Sequence, residues 1–286
     1  MILNKTSYAL ISILLSAVLI SSYAQQIPRT QSTIDAELVC ICGDTTSPYA
    51  ERVGLIHRLP SNLAPEQLER CRAFLESPLA GQPLPDLEFN GLKNELVFAL
   101  LRQRDGLTEL AELLVRMSRA QETDATWRDY CVQFLGKCYP RINDAKSREA
   151  MADALWEALK TRRRGRAAGS AARQLMTLGR SFPDFPPEKV ATASLEALLD
   201  PASSDETKTA LLQVCGTLGK RGALPTARDI AGRSSAPVLR ASAIAAVGML
   251  GDASDLPLLK RLAASGDVRV SRPAAAAIDR IQKSNQ

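Results

Sequence analysis

Histidine is nearly absent: 286 residues hold one, His57. No Asp-x-His, His-x-x-x-His or Glu-x-x-His pattern surrounds it, so a histidine-based acid, base or metal ligand has no second member. It lies in "GLIHRLP", at an expected helix end where positive charge is favourable. A G-x-S-x-G elbow, a Gly-rich phosphate loop and a haem attachment motif are missing too. Their absence removes the signatures of a hydrolase serine, a P-loop and a c-type haem. Carboxylate pairs such as Glu66/Glu69 and Glu109/Glu112 fall at i,i+3 among polar residues, as on solvated helix faces. Cys40 and Cys42, with His57 and Cys71, lack the spacing of a zinc knuckle. The expectation is no catalytic residue, no cofactor and no metal, and the chain reads as not an enzyme.

Aromatics are also scarce, at 5%, whereas Ala and Leu are abundant and head the helix-propensity ranking. With 45% hydrophobic residues the chain has ample material for a core. Its net charge is +5, falling to +4 without Lys5, the one charged residue of positions 1–24. So mild an excess does not mark a nucleic-acid binder.

The N-terminus has the three-part layout of a secretory signal. Lys5 precedes the apolar run "YALISILLSAVLI" (8–20), and small residues Ser22 and Ala24 close it. The run is too short for a comfortable membrane span. Residues 1–24 are therefore expected to be removed on export to the periplasm, the cell envelope or the medium, leaving no membrane span. In such a compartment the six cysteines permit disulfides. Cys131 and Cys138 lie two turns apart if they share a helix, too far to bridge. Cys40 and Cys42 flank Ile41 in "ELVCIC", which reads as an extended segment with both side chains on one side. One of these two is expected in a disulfide with a partner elsewhere in the fold. Cys215, on an apolar stripe, reads as a buried thiol.

An internal period organises the rest. Four apolar runs close on Leu-Gly: Leu135–Gly136, Leu178–Gly179, Leu218–Gly219 and Leu250–Gly251. At an offset of 32, Gly216 aligns with Gly248, Leu218 with Leu250, Pro225 with Pro257 and Ile230 with Leu262. Gly after the last apolar residue supplies a left-handed helix stop, and Pro in the first turn starts the next helix. Small residues such as Ala243, Ala246 and Gly248 let successive pairs approach closely. One such pair cannot bury its own apolar stripe, so each leans on the next.

These residues resemble the HEAT-like repeats, including the short form named after the phycobilisome lyases. "LRASAIAAVGMLGD" carries Arg240, Gly248, Leu250, Gly251 and Asp252 at the matching places, and "GDVRV" begins the next unit. The resemblance is specific over 205–283 and weaker over 127–200. In "VSRPAAAAIDRI" Pro273 interrupts the pattern, as suits a capping unit. The resemblance implies an all-α fold, a right-handed α-solenoid of stacked antiparallel helix pairs (HEAT/armadillo-like). It is expected to follow the signal (1–24), an extended segment (25–46) and divergent helix pairs (47–120), with HEAT-like repeats over 121–286. The stretch "SPLAGQPLPD" (77–86) reads as a seam.

The resemblance implies an exported, non-catalytic scaffold that binds a protein or peptide on a concave face lined by second helices. Candidate contacts are Lys260 and Arg261 on a second helix, with Arg162, Arg163, Arg164 and Arg166 of "KTRRRGR" as a basic rim. Trp127 reads as a packing anchor. The alternative is an enzyme accessory, since some relatives attach chromophores through cysteine chemistry.

Overall fold

A computed structural model describes residues 30–43, 46–161 and 165–284. The signal-like stretch 1–24 lies outside them. Among the described residues there are fourteen α-helices and no strand. The N-terminal helices are α1 (Gln31–Cys42), α2 (Tyr49–His57), α3 (Pro65–Glu76), α4 (Asp86–Leu101) and α5 (Leu107–Arg119). The middle holds α6 (Ala125–Cys138), α7 (Ala145–Thr161), α8 (Ala167–Leu178) and α9 (Pro187–Leu199). The last third holds α10 (Asp205–Thr217), α11 (Leu224–Arg233), α12 (Pro237–Leu250), α13 (Leu256–Ala263) and α14 (Val268–Ser284).

The helices stack in two layers. The even-numbered helices form one continuous layer, each packing on the next from α2 to α14. The odd-numbered helices form the second layer, continuous from α1 through α3, α5 and α7 to α9. Beyond that, α11 packs on α12 and α13 on α14. The chain is thus an α-solenoid, and one core runs along it from Ile34 to Ile281.

Local sequence explains the helix starts. Proline occupies the first turn of α3, α9, α11, α12 and α13, where its missing N–H costs no hydrogen bond. Asp124 caps α6 by accepting from the Thr126 and Trp127 amides, and the Ser204 side chain caps α10. The helix stops are more varied than the Leu-Gly pattern suggests. Gly219, at φ +69°, adopts the left-handed conformation after α10. Gly251 is extended and Gly179 is still helical. Gly136 stops nothing. It lies inside α6, where its missing side chain makes room for Gln174 of α8.

That last role recurs along the even layer. Gly169 of α8 meets Ala210 of α10, and Gly216 of α10 meets Ala246 and Met249 of α12. Gly248 of α12 meets Ala277 of α14, where a Cβ would stand 2.6 Å from the Ala277 Cβ and 2.8 Å from its Cα. These glycines set how closely one repeat lies on the next. An ion pair between half-exposed Arg228 and buried Asp255 ties the odd side of the last two units. Arg228 of α11 donates from Nε and Nη2 to the two carboxylate oxygens of Asp255, at 2.6 and 2.9 Å. The Asp255 carboxylate also closes against Gly251 and accepts from the Asp252 amide.

One expectation needs correction. The segment 25–46 is not extended where it is described: Gln31–Cys42 is helix α1. Thr30 caps it, and Ile34, Leu38 and Ile41 recur at helical spacing on its buried face. Tertiary burial thus outweighs the β-forming character of "ELVCIC". Pro273, where the sequence departs from the repeat pattern, lies inside α14, which runs through it and gives up one backbone hydrogen bond.

Gly248→Ala and Gly232→Ala should shift stability in opposite directions. At Gly248 the new methyl meets backbone-level atoms of Ala277, so overpacking, about 1–3 kcal/mol, outweighs the helix-propensity gain of about 1 kcal/mol. At Gly232, near the end of α11, nothing stands within 4 Å and the same change should stabilise by roughly 0.5 kcal/mol. Urea unfolding of both variants reads the two signs.

Candidate functional site

Helix α12 is apolar on more than one side, and this builds a concave feature on the repeats. Leu239, Ala243, Ile244, Val247 and Leu250 face the core. A second stripe points outward, through Val238 (70% exposed), Ala241, Ala245 and Met249. It forms the floor of a groove of about 720 Å³ running across the even layer. Gln213 and Thr217 of α10 form one wall, and Arg269, Pro273 and Arg280 of α14 form the other. The small floor residues keep it open, and Pro273 offers the groove a ring in place of a longer side chain.

The groove carries charge of one sign. Both charged residues lining it are arginines, and no carboxylate lines it. Arg269 is braced by Asp267, with Nη2 to Oδ2 at 2.9 Å, while Arg280 has no ion-pair partner among the described residues. An apolar floor beside a wall that carries two guanidinium groups suits an apolar segment bearing carboxylates.

The other candidate residues are scattered. Lys260 and Arg261 are exposed in the last turn of α13, on the odd side of the stack. Arg166 is exposed at the start of α8. Arg162, Arg163 and Arg164 lie outside the described residues. His57 ends α2 and pairs through Nε2 with Glu95 Oε2 at 2.8 Å. Trp127 is buried, 1% exposed, as a packing anchor. The groove itself escaped sequence reading because Val238, Ala241 and Ala245 look like core positions in an apolar helix.

The expected seam at 77–86 has a polar lock. Lys93 of α4 is 2% exposed and donates to the Ser77 carbonyl at 2.6 Å. Its ammonium lies 4.9 Å from the Phe89 ring centre and 5.2 Å from that of Trp127. These rings attract the cation. Desolvation nevertheless dominates, lowering the Lys93 pKa to about 8, with Cys131 and Asp124 opposing.

All six cysteines carry thiols. Burial pushes Cys138 and Cys215 up to about 12, and Cys131 higher still. Such thiols are poor nucleophiles at neutral pH. Cys40 lies against Ser47, Sγ to Oγ at 3.0 Å.

Lys93 should make stability depend on pH. Its folded pKa lies below the ordinary 10.5, so between about pH 8 and 10.5 the unfolded chain binds the extra proton. Unfolding free energy therefore rises with pH across that window. Measured as the difference between the native protein and Lys93→Met, the rise should reach about 2–3 kcal/mol. A flat difference would show that Lys93 titrates normally in the folded protein.

Comparison with known proteins finds a family match over part of the stack. Residues 192–279 match the HEAT repeats family. No curated protein matches the chain. Among solved structures the chain is similar to human deoxyhypusine hydroxylase in complex with glycerol. That likeness has 16% identity and a TM-score of 0.36, over 92% of this chain and 99% of that one. It corrects the reading of this chain as not an enzyme, because the similar structure is a hydroxylase. A stack of helices can carry catalytic groups as well as docking surfaces, so the lack of sequence signatures does not exclude catalysis. At this identity the likeness brings no activity with it. The segment that matches the HEAT repeats comprises α10 to α13 and most of α9 and α14.

Proposed function

We propose that the chain is a docking scaffold that holds an apolar, carboxylate-bearing segment of a partner protein in the groove over α12. The observation that carries this reading is the groove's composition: an apolar floor, with Arg269 and Arg280 as its only charged lining residues. Val238 supports it, because a large aliphatic side chain 70% exposed is a natural contact for an apolar partner. The even layer supports it too, since glycine contacts hold the three groove helices at fixed spacing. A preformed site loses less entropy on binding.

Lys260, Arg261, Arg166 and the neighbouring Arg162, Arg163 and Arg164 extend the basic character beyond the groove, and we assign them to steering an acidic partner. Among the described residues no helix is long and apolar enough to cross a membrane. We further propose that residues 1–24 direct export, which sequencing the mature N-terminus tests.

Ala245 is exposed on the groove floor, so Ala245→Trp fills the groove without entering the core. Crosslinking capture from the native cell identifies the partner, and titration with the purified partner then measures affinity. Ala245→Trp should weaken binding at least about tenfold, and Arg280→Glu by about three- to tenfold, with the melting temperature unchanged. Equal affinity in both variants would place the docking surface elsewhere. Replacing Arg162, Arg163, Arg164 and Arg166 together with Ala should slow association without lowering the melting temperature.

A further inference from the structure

The N-terminal end of the stack brings two cysteines together. Cys42 ends α1 and Cys71 lies in the middle of α3, and these helices pack side by side. Cys42 lines a cleft with Arg70, Ala73 and Phe74, the residues around Cys71 on α3, so the two thiols lie within reach of each other's charge. The other four cysteines are placed differently. Cys40 faces Ser47, Cys131 and Cys138 lie two turns apart on α6, and Cys215 is buried in α10.

The two thiols of the pair differ in access. Cys71 is 0% exposed, whereas Cys42 is half-buried and lines a cleft of about 380 Å³ with Gly43, Arg70, Ala73 and Phe74. An oxidant can thus reach Cys42 from the cleft, while Cys71 waits behind it. Arg70 at the cleft wall favours an anionic oxidant and a developing thiolate. The helices are already held in register around the pair. Gln67 of α3 donates to Asp35 Oδ1 at 2.8 Å, and Arg70 donates to the Asp35 carbonyl at 3.3 Å. Arg52 of α2 donates from Nε to the Ile41 carbonyl at 3.1 Å, one residue before Cys42.

We propose that Cys42 and Cys71 are a disulfide-forming pair, closed by a small-molecule or protein disulfide as oxidant into a cross-link that pins α1 to α3. Cys42 loses its proton to solvent and attacks one sulfur of the oxidant disulfide. The oxidant's bond breaks, one thiolate leaves, and Cys42 is held as a mixed disulfide. Cys71 then loses its proton and attacks the Cys42 sulfur, expelling the second thiolate. Two protein thiols are oxidised and one oxidant disulfide is reduced to two thiols. The interaction with Cys42, which favours the protonated Cys71 thiol, and burial both hold the Cys71 pKa far above its ordinary value. Once Cys42 is a mixed disulfide its thiol contact and charge are gone, while Arg70 and Arg72 still favour the Cys71 thiolate. The first step therefore prepares the second.

The cross-link acts where the fold needs it. Helix α1 is the first helix among the described residues, packs on α2 and α3, and contributes Ile34, Leu38 and Ile41 to the core. Terminal units of such stacks fray first.

The test treats the full-length reduced protein with oxidised glutathione, blocks residual thiols and maps disulfides by mass spectrometry. The expected product has lost two hydrogens, carries one Cys42–Cys71 link, and shows amide exchange in α1 slowed at least about tenfold. Cys40→Ser should leave the link intact, and Cys42→Ser and Cys71→Ser should each abolish it. Cys42→Ser, at the half-buried position, serves if Cys71→Ser does not fold. A stable glutathione adduct on Cys42, a link through Cys40, or six titratable thiols after oxidation would overturn the proposal.

Discussion

The absence of a side chain at Gly248 lets α12 rest directly on Ala277 of α14, and contacts of that kind set the spacing of the whole even layer. Gly169 on Ala210 and Gly216 on Ala246 repeat it toward the N-terminus. Because each helix pair buries its stripe against its neighbours, stability accumulates along the stack rather than around one centre. The Arg228–Asp255 pair does for the odd side what the glycines do for the even side, tying two repeats where the second helices are short. A bidentate guanidinium pair on a buried carboxylate fixes orientation as well as distance.

The groove follows from the same packing. Small residues turned inward on α12 allow close approach, and small residues turned outward leave a trough between α10 and α14. One helix therefore serves two surfaces, which accounts for its having no polar face. The basic wall comes from α14, whose inner side is Val270, Ala274, Ala277 and Ile281 and whose outer side carries arginines.

Much of this was legible in the residues. The 32-residue offset between Gly216 and Gly248 marked the repeat, and prolines in the first turns marked where second helices begin. What the glycines do was only half legible. Leu135–Gly136 has the same letters as Leu218–Gly219, yet one lies inside a helix against Gln174 and the other ends one. The difference depends on a neighbour some forty residues away. Helix α1 was misread for a similar reason: "ELVCIC" has strand-forming residues, and only the packing of Ile34, Leu38 and Ile41 settles its conformation. Val238 and Ala245 were invisible as groove residues because an apolar helix does not announce which of its stripes is buried. The proximity of Cys42 to Cys71 needed the third dimension outright.

The central claim is that the molecule is held together repeat by repeat through small-residue contacts in the even layer. Hydrogen exchange on full-length Ala277→Leu tests it most directly, because the added side chain drives α14 off Gly248. Protection should fall most in α14 and α12, less in α10, and stay at the native level in α2 to α6. A uniform loss of protection across all fourteen helices would contradict a stacked array and indicate a single cooperative core.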